Sequence, residues 1–427
     1  MKVIIFQRAW QAFAGVLTIF FLSKYLTLVE QGWYFSFISF SAFYALFDLG
    51  LSSLLVPISA HIFAHGSKID PSALKEENCS EFLSFFGQSS RLYLRLGILF
   101  FFLITPLGIF FFAPNFHHIY FYTWVFPWVV LTGSVSINLI SLPFFSVLEG
   151  VGLVEEVYLV RFLQGCAGSI ALWLSLSFGY GLWSIVSAPL TSIVVFVIWV
   201  FIRHSYLLRY SWKNNILHFD WSKEVSPLRW RVGLNFMSGF LLTQIYTPII
   251  FRFHGAEAAG QMGLSLTIAN MLGLLSQSWM AYKVPVMAKA AKKRDWVSLD
   301  SIFKKEFLLS IFFYIFGVTG IFALYYILID TVYINRVLQF WSFGGLMIVV
   351  LINHIIGSLT TQLRSYKKEP LFWVSVLGAF LTVPVAIISA MNYSVSGVVF
   401  SILFVQIIVT TPLTIYLWVR YNKELRM

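Results

Sequence analysis

Five ionisable side chains stand inside otherwise apolar stretches of this sequence: Lys24, Asp48, Arg161, Arg252 and His354. A charge at the middle of a bilayer costs about 2.5 to 3.5 kcal/mol on insertion scales, so each is first of all a functional candidate. Lys24 and Arg252 could converge on a phosphate-bearing substrate, the guanidinium gripping two oxygens and the ammonium acting as a point charge. They could also anchor helix ends at the membrane interface. Asp48 is either a carboxylate for coupling a proton or sodium ion, or a cap where Gly50 loosens its helix. Arg161 either meets a substrate phosphate or pairs with Glu149, Glu155 or Glu156, close by in sequence. His354 is either a proton relay or a packed histidine with its hydrogen bonds satisfied.

The elements that must position these groups are membrane helices. Hydrophobic residues make up 59% of the 427, charged residues 11%, and 45 residues are Phe, more apolar surface than a soluble globule of this size hides. At about 20 apolar residues per crossing, twelve segments qualify, at roughly 9–28, 33–60, 93–113, 121–147, 157–178, 181–202, 232–251, 261–282, 307–329, 339–361, 371–391 and 397–419. Strands of a membrane barrel would be shorter and would alternate. With a cytoplasmic N-terminus, only Lys24, Arg252 and Arg336 of the 29 Lys and Arg fall on the outer side. That asymmetry is the positive-inside pattern and places both termini in the cytoplasm. It also accounts for the formal charge of +11 without any nucleic acid. Cys79 and Cys166 show neither disulfide nor metal-ligand spacing, and the first apolar segment lacks a cleavage site, so it is a retained span.

The stretch from Lys24 to Pro57 recurs 228 residues later without a gap, Lys24, Gly32, Leu46, Val56, Pro57 and Ala60 matching Arg252, Gly260, Leu274, Val284, Pro285 and Ala288. The glycine is expected in a tight Glu30-Gln31-Gly32 turn, and the paired prolines predict equivalent kinks. Six spans precede the basic segment 203–231 and six follow it, so the two halves are parallel repeats that enter the membrane in the same orientation. The expected organisation is an N-terminal six-helix bundle at 1–210, a cytoplasmic connector at 211–230 and a C-terminal six-helix bundle at 231–427. Pro71-Ser72 opens an expected amphipathic helix leading into the third span. Outer connections are short throughout, RFHGAEAAG after the seventh span among them.

Several chemistries lack their residues. The sequence has no phosphate-binding loop of the Walker type, no Asp-x-Asp, no nucleophile-histidine-acid set and no metal-ligand cluster, and His117-His118 stands alone in an outer loop. Neither an enzyme nor a bound cofactor or metal is expected.

Two patterns resemble a known family. Lys24 with Glu30-Gln31-Gly32-Trp33-Tyr34 and Asp48-Leu49-Gly50-Leu51, followed by LPFFSVLEGVGLVEEVYLVRFLQG at 142–165, is similar to lipid-linked polysaccharide flippases, O-antigen flippases included. These belong to the multidrug/oligosaccharidyl-lipid/polysaccharide exporter (MOP) superfamily. The second half departs from the pattern, with Gln261-Met262 after Gly260 and Ser276-Gln277-Ser278 in place of Asp-Leu-Gly. The resemblance implies an all-α polytopic membrane protein of MATE-like fold, with twelve transmembrane helices in two six-helix bundles that alternate between inward-open and outward-open forms. It further implies a bacterial inner-membrane flippase for an undecaprenyl-diphosphate-linked oligosaccharide, such as an O-antigen unit of lipopolysaccharide. Lys24, Arg161 and Arg252 would contact the headgroup, and Asp48 or His354 would serve any ion coupling. Membrane lipids and glycan polymerase or assembly proteins are the implied partners. Rivals are a drug/cation antiporter of the same fold and a polytopic glycan polymerase or glycosyltransferase.

Overall fold

The computed structural model describes residues 2–63, 80–113, 121–211, 226–366 and 371–426. Pro71-Ser72, Cys79, His117-His118 and most of the connector lie outside the described residues. Among the described residues every regular element is helical: α1 (Lys2–Tyr25), α2 (Leu28–Ser41), α3 (Tyr44–Asp48), α4 (Leu51–Phe63), α5 (Ser80–Phe112), α6 (Phe121–Gly150), α7 (Val154–Ser177), α8 (Ser184–Arg203) and α9 (Ser205–Ser211). There follow α10 (Ser226–Gln244), α11 (Tyr246–Lys292), α12 (Trp296–Ile327), α13 (Phe340–Arg364), α14 (Phe372–Asn392), α15 (Val395–Val405) and, after a π-turn at Gln406–Thr410, α16 (Thr411–Arg426).

Among the described residues nine helices are long and apolar enough to cross a membrane, and the pair Leu28–Asp48 and Leu51–Ile62, bent by 41°, adds a tenth. One of the nine runs 60 residues, from Gly233 to Lys292. Straight, it would measure about 90 Å, three times the hydrocarbon thickness. It is divided at Gly255, whose φ of 85° and ψ of −178° suit glycine alone, and so holds the seventh and eighth spans. With α1, each of the twelve expected spans is covered by helical segments, the second by α2 to α4, the seventh by α10 and the start of α11, and the last by α15, the π-turn and α16.

The chain packs as two compact units. The first takes the chain up to Leu26 and from Phe37 to Phe240; the second takes Thr27–Ser36 and everything from Leu241. The core of the first unit is aromatic. Phe37, Phe112, Trp124 and Trp128 are wholly buried, and Trp128 spends its indole N–H on the Thr105 carbonyl at 3.0 Å, so the ring packs without an orphaned donor. In the second unit Met280, Met287, Phe303 and Leu359 form a buried cluster with Trp418 against it.

The Glu30-Gln31-Gly32 turn is corrected. The break comes one turn earlier, at Leu26-Thr27, and Gly32 lies inside α2. Thr27 and Glu30 form a capping box: Glu30 N–H donates to Thr27 Oγ1 at 3.2 Å, and the Thr27 N–H and hydroxyl both donate to Glu30 Oε2 at 2.9 Å. Gly32 is small because α2 lies against α11, where an added Cβ would come 1.8 Å from the Ala256 carbonyl oxygen. RFHGAEAAG, expected as a short connection, holds the break at Gly255 between the seventh and eighth spans and is helical on either side of it. Pro57 and Pro285 both sit inside helices, but the bend in the first half lies at Leu49-Gly50, with φ of 47° and 67°, and not at the proline. Gly255 is the only residue with non-helical backbone inside α11, so Ser276-Gln277-Ser278 makes no such break.

Candidate functional site

Lys24 is exposed in the last turn of α1, three residues before the Thr27 break, with its ammonium 5.8 Å from the Phe20 ring centre and 5.2 Å from that of Tyr25. Arg252 is exposed three residues before the Gly255 break. At the 228-residue offset Thr27 and Gly255 coincide, so the two cations hold the same place relative to two interruptions that arise by different chemistry. One interruption is a capped helix start; the other is a glycine. Neither cation has a carboxylate within ion-pair distance among the described residues.

Arg161 is placed differently. Its guanidinium meets Glu149 at 3.2 Å and stacks over the Phe145 and Tyr158 rings, 5.6 and 5.5 Å from their centres. It does not come together with Lys24. The helices α1 and α7 run side by side in the same direction, Trp10 meeting Phe162 and Thr18 accepting the Trp173 indole N–H. On that register the two basic residues are about 25 Å apart along the pair.

Asp48 closes the bend between α3 and α4. One carboxylate oxygen accepts from the Ser52 backbone N–H at 3.1 Å and from the Tyr93 hydroxyl; the other accepts from the Ser52 hydroxyl at 2.8 Å. A side chain that supplies an acceptor to a first-turn N–H is a helix cap, and the left-handed Leu49-Gly50 backbone is what turns the chain back toward it.

In the second unit His354 is buried on α13. Its Nε2 lies 3.0 Å from Ser310 Oγ, and its ring stacks on Tyr314 with 5.9 Å between centres. Ser310 already donates its hydrogen to the Phe307 carbonyl at 2.8 Å, so Nε2 of the imidazole is the donor and Nδ1 of the neutral ring carries a free lone pair. Among the described residues Nδ1 has no partner. Next to it Asn353 Oδ1 accepts from Gln406 Nε2 at 3.1 Å, at the π-turn of the last span.

Two groups escaped sequence reasoning. Glu306, 7% exposed, lies one turn before Ser310 on α12, one residue outside the span drawn at 307–329. Arg336, read as an outer-loop charge, donates from Nη1 to Gln31 Oε1 at 3.1 Å, while Gln31 Nε2 donates to the Gly260 carbonyl at 2.9 Å and the Arg336 carbonyl at 3.1 Å. These side chains tie the α2 segment of the second unit to α11 across 229 residues of sequence and to the Val332–Arg336 turn across 305. A salt-bridge or hydrophobic pattern offered no signal for either.

No family model and no curated protein sequence matches the chain. Solved structures do. An inward-facing multidrug resistance MATE family transporter of the MOP superfamily superposes with a TM-score of 0.67 at 13% identity, covering 97% of this chain and 99% of its own. The chain has the MATE fold. The lipid II flippase MurJ, in an inward closed conformation, matches with a TM-score of 0.66 at 17% identity over 97% of this chain and 87% of its own. A MATE transporter in a bent conformation gives 0.55 at 16% identity over 100% and 95%. The all-α, twelve-span, MATE-like expectation agrees with this fold.

Proposed function

We propose that the chain is a flippase that moves an undecaprenyl-diphosphate-linked oligosaccharide, such as an O-antigen unit, across the bacterial inner membrane by alternating access. The observation that carries this is the pair Lys24 and Arg252, one exposed cation per repeat, each one turn ahead of a helix break and each without an acid partner among the described residues. An unpaired cation at repeat-equivalent places suits a diphosphate, whose charge needs more than one donor. Asp48 supports the reading from the other side, because its oxygens are taken by Tyr93 and Ser52 and it serves as a cap. The fold also serves a lipid II flippase. Arg161, held by Glu149, is the weakest of the three headgroup candidates.

A drug/cation antiporter of the same fold is the second reading, favoured by buried Glu306 and by the unpaired Nδ1 of His354 in the second unit. Deleting the gene separates the two. The flippase reading expects lipid-linked glycan to accumulate on the cytoplasmic leaflet and surface glycan to fall. Complementation by Lys24→Ala/Arg252→Ala is expected to restore membrane insertion but little export. Unchanged surface glycan and lipid intermediates in the deletion strain would overturn the proposal.

A further inference from the structure

The second unit carries a pocket of about 580 Å³ near the end that bears the C-terminus. Phe303 and Phe307 of α12 and Trp418 of α16 form its apolar wall, and Gln362, near the end of α13, also lines it. Gln362 Oε1 accepts the Trp418 indole N–H at 2.8 Å, which uses the ring's one polar atom and leaves only apolar indole surface to face an occupant. Lys304 and Lys423, both exposed, line the same pocket with Asp300, one turn before Lys304. The three charges sum to one positive. Asn422, 8% exposed, also lines it; its Oδ1 accepts from the Tyr366 hydroxyl at 3.2 Å, while its Nδ2 is buried without a partner among the described residues. A buried amide donor without an acceptor is unfavourable, so an occupant that brings an acceptor is favoured.

We propose that this pocket binds an anionic phospholipid of the surrounding membrane. An acyl chain lies along Phe303, Phe307 and Trp418, the phosphate sits by Lys304 and Lys423, and a headgroup or ester oxygen accepts from Asn422 Nδ2–H. Free phosphate would satisfy the lysines and the amide but leave the apolar wall bare. A neutral lipid would fill the wall and leave the lysines without a counter-charge. Aromatic and basic side chains together at a span end are the pattern of a membrane interface. The volume falls in the range of small-ligand sites, about 300 to 1,000 Å³, and takes part of a lipid whose remainder stays in the bilayer.

The test is native mass spectrometry of the full chain released from nanodiscs of equal phosphatidylcholine and phosphatidylglycerol. One retained phosphatidylglycerol is expected on the wild type and on the control Lys292→Gln/Lys293→Gln. Each basic residue near an anionic headgroup is worth about 1 kcal/mol, so Lys304→Gln/Lys423→Gln should retain it about thirtyfold less well, at tenfold per 1.4 kcal/mol. If that variant does not fold, Asn422→Asp, the same size but without the donor, carries the same expectation. Equal retention by wild type and variants overturns the proposal. So does equal retention of phosphatidylcholine, or displacement of the lipid by millimolar inorganic phosphate.

Discussion

At the scale of single residues, burial and partners separate side chains that the sequence presents alike. Asp48 and Lys24 both interrupt apolar runs, yet Asp48 is spent on Ser52 and Tyr93 while Lys24 stays exposed. Replacing Asp48 by Ala removes a cap, about 1 kcal/mol, together with the acceptor that the Tyr93 hydroxyl uses. Thermal unfolding of the purified protein should move down accordingly. Asp48→Asn keeps an oxygen acceptor and should lose much less. If transport by Asp48→Asn loses its dependence on protons or sodium while the fold persists, Asp48 couples ions and the cap is secondary.

At the scale of elements, the crossing of α2 over α11 depends on glycines with no side chain to spare. Gly32→Ala would drive a methyl into the Ala256 backbone, and Gly260 faces Gly32 in turn, an added Cβ there lying 2.9 Å from the Gly32 nitrogen. The helices must separate, and overpacking of this kind costs typically about 1 to 3 kcal/mol. Gly239→Ala, with nothing within 4 Å of the new methyl, should instead gain up to about 1 kcal/mol from helix propensity. Melting curves of the two variants should therefore move in opposite directions. Both halves of this crossing were legible as matched glycines, but their role was not. A glycine beside Glu-Gln reads as a turn until the Thr27 to Glu30 capping box is recognised, and that box stands in the sequence too. Gln31 and Arg336 could not be joined from sequence, because nothing local marks a hydrogen bond spanning 305 residues. Glu306 was lost by one residue of span boundary, where apolar periodicity is least informative.

At the scale of the whole molecule, the twelve spans were legible because bilayer thickness leaves few alternatives. The breaks at Leu49-Gly50 and Gly255 were marked too, by a glycine beside Asp48 and by the polar RFHGAEAAG segment. The even number of crossings predicts where each cation faces. With Cys79 and Cys166 replaced, cysteine at position 24 or 252 should react in intact cells with a membrane-impermeant maleimide. Cysteine at position 292 should react only after the membrane is opened. Labelling in the reverse order would invert the topology.

The assignment of Thr27–Ser36 to the second unit carries a consequence for biosynthesis. Gly32 leaves the ribosome 228 residues before Gly260, the glycine it packs against. At about 5 to 20 residues per second the interval is about 10 to 45 s. For that time the start of α2 is inserted while the surface it is shaped for has not been translated, so a slow codon run or a truncation before Gly260 would strand it.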